Sequence, residues 1–252
     1  MKLGIMQPYF FPYLGYFDLI NITDRWVVFD SVQYIRHGWM NRNRILHPTT
    51  GWQYVIVPLA SHGRDTLIRE IKIKEGADWK ERIIGQIQHY KKRAPHFRFV
   101  DSLLRECLFG TRTRLLSKLN VECLAKVCEI LGVSFQPLYF SEMCFSPLHI
   151  EGPGDWALRV SEQLGTSEYV NPVGGEALFD RDKFKAAGIS LTLRDPPRFE
   201  YRPRGYVFEP NLSVIDALLW NSPDEIRAFL EACRPLDSLG TGTSPTAQNC
   251  SG

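Results

Sequence analysis

Residues 2–20, KLGIMQPYFFPYLGYFDLI, decide how the rest of the chain is read. Lys2 to Met6 is an apolar run stopped by Gln7 and Pro8. It is too short for the core of a signal peptide and well suited to a buried strand. Pro8 and Pro12 then forbid regular pairing, because proline has no N–H to give to a ladder. From Tyr13 to Ile20 the apolar residues fall at helical spacing. Strand, prolyl loop and helix open an α/β unit, and open α/β sheets place ligands at the carboxyl ends of their strands, facing helix N-termini.

Outward from this unit, residues 24–34 carry Val27, Val28 and Phe29 as a second buried strand. A right-handed crossover should set it parallel beside the first, with residues 7–12 and 30–36 at one sheet edge. Residues 52–59 and 67–73 read as a third and a fourth strand. The middle of the chain is helical. Trp79, Ile83, Ile84, Ile87 and Tyr90 mark one face, and Leu116, Leu119, Cys123, Leu124, Val127 and Leu131 another. Strands at 133–140, 168–170 and 189–193 alternate with helical stretches at 156–164 and 179–187. Residues 196–210 form an irregular aromatic and Arg-rich loop. Ser222, Pro223 and Glu225 announce a last helix through a capping box. The expected fold is α/β, a mainly parallel Rossmann-like sheet in one domain over residues 1–238, with a helical insertion near 77–131. Residues 239–252, rich in Gly, Ser, Thr and Pro, are expected to form a disordered tail.

Composition narrows the function classes. The 252 residues are 44% hydrophobic and 23% charged, with 30 Lys plus Arg against 28 Asp plus Glu. A formal charge of +2 gives no global case for nucleic acid or a membrane surface. No apolar stretch approaches the roughly 18–20 residues of a bilayer span, so a cytoplasmic protein without a membrane partner is expected. The six Cys show no C-x-x-C pair and no zinc spacing, and buried free thiols are expected rather than a metal site. No G-x-S-x-G elbow and no H-x-x-x-H spacing occurs among the six His.

Candidate site residues concentrate between Met6 and Arg44. Tyr13-Leu14-Gly15-Tyr16 resembles the H-x-G-H signature of nucleotidylyltransferases and pantothenate synthetase, with both His replaced by Tyr. Phenols donate hydrogen bonds but carry no positive charge near neutral pH, so binding geometry would survive while the catalytic role weakens. The alternative is an aromatic cluster at a helix start. Tyr13, Tyr16 and Asp30 are the candidate catalytic residues, with Asp30 at a strand end positioning or deprotonating an amine. An N-cap or an ion pair is its plainer role. Gln7, Tyr9, Gln33, Arg36, Arg42, Asn43 and Arg44 are candidate substrate ligands. The three Arg, in a loop after the second strand, would take a phosphate or carboxylate through bidentate forks. Asn171, Gly174 and Gly175 form a second candidate loop, whose paired glycines would let backbone N–H groups approach a ligand. A solvated turn is the alternative in both places.

These residues together resemble the WbqC-like protein family. The resemblance is carried by the opening at 6–20, Asp30-x-x-Gln33-Tyr34, the run WMNRNR at 39–44, Ile71-Lys72-Ile73, YKKRAP at 90–95, and Tyr169-x-Asn171-x-x-Gly174-Gly175. It covers about residues 1–235. It implies a place in bacterial gene clusters for surface polysaccharide or other specialised metabolites, beside enzymes that decorate amino sugars with amino-acid or acyl groups. It brings no established catalytic residue.

The expectation is therefore a biosynthetic transferase or amide-forming ligase that joins an acyl or aminoacyl group to a small-molecule amine. ATP with Mg²⁺ would serve an adenylate route, and a carrier- or tRNA-bound acyl donor would dispense with ATP. The competing readings are a nucleotidyltransferase that activates a sugar and a non-catalytic binding subunit of a sugar-modification complex.

Overall fold

The computed structural model describes residues 1–76, 78–144 and 150–235. The elements in chain order are β1 (Lys2–Met6), α1 (Leu14–Asn21), β2 (Arg25–Val28), β3 (Arg42–Leu46), β4 (Trp52–Ile56), α2 (Trp79–Gln86), α3 (Phe97–Gly110), α4 (Leu116–Leu131), β5 (Pro137–Tyr139), α5 (Asp155–Gln163), β6 (Glu168–Pro172), α6 (Arg181–Ala186), β7 (Ser190–Arg194), α7 (Val214–Trp220) and α8 (Pro223–Ala232).

Five strands form a wholly parallel sheet in the order β5-β2-β1-β6-β7. Counted along the chain, these are the third, second, first, fourth and fifth strands of the sheet. The winding therefore reverses between β1 and β6. That is the topological switch point, where adjacent loops diverge and leave a crevice beyond the strand ends. Both faces of the sheet are covered, as a parallel sheet requires. Leu3, Ile5, Val27 and Tyr169 point into a smaller core with Leu158, Val160 and Phe184, while Trp26, Val28 and Val170 point into the main one. Gly4 is where the Trp26 indole crosses β1, since a Cβ there would lie 2.6 Å from the ring. The parallel neighbours β1 and β2, with Phe29 N–H donating to Met6 O, bring residues 7–12 and 30–36 to one sheet edge, as expected.

The strands expected at 168–170 and 189–193 appear as β6 and β7, whereas those expected at 52–59, 67–73 and 133–140 need correction. Residues 52–59 do not join the main sheet. Their β4 pairs antiparallel with β3 in a separate two-stranded ribbon. β3 itself covers residues expected to form a loop. Its Asn43 and Ile45 are buried while Arg42 and Arg44 face outward, a two-residue alternation that the polar composition hid. Residues 67–73 make no strand but a single 3-10 turn at Ile68–Glu70 flanked by isolated bridges. Backbone carbonyls of Asp30 and Val32 accept the N–H groups of Arg69 and Ile68, so no ladder is needed. Between 133 and 140 only β5 pairs, at the sheet edge where its Pro137 costs no central hydrogen bond.

Helices α2, α3 and α4 lie between β4 and β5 and supply much of the main core. α4 ends on Gly132 at φ +67°, the left-handed cap that favours glycine. The Ser222–Glu225 capping box starts α8 as expected. Helix α7, buried along its length, carries no signal strong enough to have been read beforehand. The expected tail at 239–252 lies outside the described residues, as do His149 and Cys250. No helix among the described residues is long and apolar enough to cross a membrane.

Candidate functional site

The loop from Gln7 to Pro12 is held by its carbonyl groups. Tyr16 Oη donates to Gln7 O at 2.9 Å, and Asn120 Nδ2 to Pro8 O at 2.7 Å. Asn43 Nδ2 donates to Phe10 O at 3.1 Å and Phe11 O at 2.9 Å, and Ser213 Oγ to Phe11 O at 2.7 Å. Val214 N–H takes Pro12 O. All four side-chain donors are buried. Two prolines deny this segment a ladder, and a buried carbonyl without a partner is costly, so α1, β3, α4 and the start of α7 converge on it. Phe11 is fixed at φ +39°, a conformation that bulky residues rarely adopt.

One cavity, about 590 Å³, opens at the carboxyl ends of β1 and β6, at the switch point. Gln7, Tyr9, Gln33, Glu151 and Asn171 give it polar groups, and Phe29, Trp156 and Phe179 give it apolar walls. Gln7 has no side-chain hydrogen bond among the described residues, so its amide is unengaged. Asn171 is buried, with Oδ1 accepting from Tyr169 Oη at 2.9 Å and Nδ2 donating to Pro172 O at 2.8 Å. Gln33 donates to Arg64 O at 2.9 Å. At the mouth, Glu151 pairs with Lys183 at 2.8 Å. Among the described residues lining this cavity there is no Lys or Arg.

A second cavity, about 390 Å³, lies between the prolyl loop, β3 and the segment after β7. Tyr9 and Tyr13 line it, with Trp39, Arg44, Asp195, Arg198 and Asn211. Arg44 lies over the Trp39 and Trp52 rings at 5.3 and 5.1 Å, and donates to Asn211 O at 3.2 Å. Asn211 stands at φ +55°. Tyr9 is common to both walls.

The expected site residues separate accordingly. Gln7, Tyr9, Gln33 and Asn171 gather at the switch point, and Tyr9, Tyr13, Asn43 and Arg44 at the second cavity. Tyr16 does not face a ligand space. It is 2% exposed, packs on Trp26, and holds the loop from beneath. Asp30 lines neither cavity. Its oxygens accept the Ser141 N–H at 2.9 Å and hydroxyl at 2.6 Å, fixing the turn at Phe140–Glu142. No ligand space opens beside Gly15, since a Cβ there would lie 2.4 Å from the Tyr13 ring and 2.7 Å from Pro196. Arg42 lies over the Tyr54 ring at 4.3 Å and donates to His37 O, away from both cavities. Arg36 is exposed and lines neither. Gly174 and Gly175 sit in a 3-10 turn, where Gly175 leaves room for the Asn171 amide, 2.3 Å from a would-be Cβ.

Asp195, Arg198 and Asn211 were missed because their segments carry no periodicity. Trp156 opens an expected helical stretch, and helical spacing alone does not mark a cavity wall. Asn120 was hidden inside an apolar helix face, though a polar residue at such a position is itself a signal of a buried acceptor.

Burial raises the pKa of Tyr9, and of Tyr13 with help from Tyr9, Asp18 and Asp195. It raises Tyr16 well above the usual phenol value. All three are neutral near pH 7, able to donate one hydrogen bond but not to supply charge. Among the described residues no group of three or more His, Cys, Asp or Glu could hold a metal ion.

The model of the WbqC-like protein family matches residues 7–228. The chain is 29% identical over 235 residues to the uncharacterized protein Rv1507c of Mycobacterium tuberculosis (strain ATCC 25618 / H37Rv), covering 92% of this chain and 99% of that protein. No solved structure matches.

Proposed function

The chain belongs to the WbqC-like protein family, and from that premise we propose that it is a biosynthetic transferase or amide-forming ligase that joins an acyl or aminoacyl group to a small-molecule amine. The switch-point cavity is the site of reaction in this reading. The observation that carries it is the lining: unengaged Gln7 and buried Asn171 beneath aromatic walls, with no described Lys or Arg among them. Neutral amides orient a carbonyl and an amine without competing for phosphate charge. Placing two such reactants at attack distance supplies much of the acceleration that acyl transfer needs. The reading therefore favours a donor that arrives already activated on a carrier or tRNA. Tyr16 and Asp30, engaged inside the fold, have no part in the chemistry in this reading, and Glu151 is the one carboxylate among the described residues of the lining.

The test incubates the protein with an amino sugar and, in parallel, an acyl thioester, an aminoacyl-tRNA, or a free acid with ATP and Mg²⁺, and looks for the amide by mass spectrometry. Amide from either activated donor is expected, and Gln7→Leu should lower its rate at least about tenfold, equivalent to roughly 1.4 kcal/mol. Pyrophosphate release without amide would favour a nucleotidyltransferase, which the switch-point geometry also suits. Binding of the amino sugar without turnover under every condition would favour a binding subunit.

A further inference from the structure

Among the described residues neither Arg44 nor Arg198 has a carboxylate within 4 Å, as is true of Arg36, Arg42 and Arg93 also, whereas Arg105, Arg114, Arg159, Arg181, Arg194 and Arg227 each have one. Arg44 is nonetheless well fixed. It stands on a strand, lies over two indoles, and gives one N–H to the Asn211 carbonyl. Its Nε is shielded from solvent and has no hydrogen-bond partner among the described residues, as is true of the Arg42 Nε. A guanidinium held by neutral groups, with donors left over at the edge of a cavity, has the form of a receptor for a planar oxyanion. Arg198 brings a second cation to the same cavity, and Tyr9, Tyr13 and Trp39 bring aromatic side chains.

We propose that the 390 Å³ cavity is a binding site for a small oxyanion-bearing molecule of about monosaccharide size, whose carboxylate or phosphate accepts hydrogen bonds from Arg44 and Arg198. The volume lies at the small end of the roughly 300–1,000 Å³ of ligand pockets. Asp195, in the same lining and without an ion-pair partner among the described residues, sets a second requirement. A bare dianion would meet its repulsion. A molecule that also presents hydroxyl or amine donors would satisfy it, together with the Asn211 side chain. The aromatic side chains suit the C–H surface of a cyclic polyol. This site is distinct from the switch-point cavity and does not depend on the amide-forming reading.

The test is calorimetric titration of the full chain with glucose 1-phosphate, glucuronate, glucose and inorganic phosphate. At least one of the two acidic sugars should bind, with glucose and inorganic phosphate at least tenfold weaker. Arg44→Lys keeps the charge but loses the fork, and should weaken the acidic sugar at least tenfold with an unchanged melting temperature. Arg198→Ala, at an exposed position, provides the same reading should Arg44→Lys fail to fold. Gln7→Leu should leave this binding intact, which separates its failure from failure of the transferase reading. The proposal is overturned if neither acidic sugar binds, if glucose or inorganic phosphate binds as tightly, or if the arginine variants bind like wild type.

Discussion

Tyr13 and Tyr16 stand one turn apart at the start of α1 and carry the same phenol into opposite surroundings. The Tyr13 hydroxyl has no hydrogen-bond partner among the described residues and borders a cavity, while that of Tyr16 holds Gln7 O inside the core. Tyr13→Phe should therefore change stability by less than about 0.5 kcal/mol, since no hydrogen bond is lost. Tyr16→Phe should cost about 1–3 kcal/mol, because a buried carbonyl loses its donor. Urea midpoints of the two variants, measured together, check the contrast, and equal midpoints would refute it. The sequence spacing singled out the pair but not which way each ring turned. Direction depends on the Pro8–Pro12 loop closing over α1, a contact made by Asn43, Asn120 and Ser213 from distant segments. Asp30 taught the same lesson. Its place at a strand end was legible, and its partner Ser141, 111 residues away, was not.

Among the elements, those with strong local signals were readable before folding and those built from long-range pairing were not. β1, α1, α4 and the capped α8 announce themselves through apolar runs, periodicity and Ser222. β3 did not, because the aromatic partners that make its outward arginines acceptable, Trp52 and Tyr54, sit on the strand that pairs with it. The turn ending in Tyr90 offers a pH test at this scale. His89 Nδ1 meets Tyr206 Oη at 2.8 Å, and burial, opposed by a backbone hydrogen bond, lowers its pKa to about 4. A histidine held neutral contributes stability that is present above the unfolded value of about 6.5 and is lost as pH falls from there toward the folded value. Urea midpoints should thus drop between pH 7 and pH 5 in wild type and drop less in His89→Gln. An identical fall in both would show that other groups govern that window.

For the whole molecule, the order of strands fixes where the chemistry can sit and a buried ion pair fixes the edge of the sheet to its first helix. Arg194 at the end of β7 donates to both oxygens of Asp18 in α1, at 2.9 and 3.0 Å, and to Cys233 O at 2.8 Å. Asp18 is wholly buried. Removing one partner strands a charge, so Arg194→Ala should cost about 3–5 kcal/mol. In a chain of this size that lowers the melting temperature by roughly 2–4 °C per kcal/mol, readable by calorimetry. A shift no larger than that of an exposed arginine variant would count against the pair. The α/β class and the shared edge of β1 and β2 were legible, since both follow from local patterns and crossover handedness. The separate ribbon and the second cavity were not, because each is made where segments of unrelated pattern meet. Tyr9, common to both cavities, has a consequence for anyone seeking inhibitors. Two weak fragments, one anchored on Arg44 and one beside Gln7, would occupy neighbouring rooms of one rigid wall. A short tether around that ring would turn the second encounter into an intramolecular one, gaining affinity without a new contact.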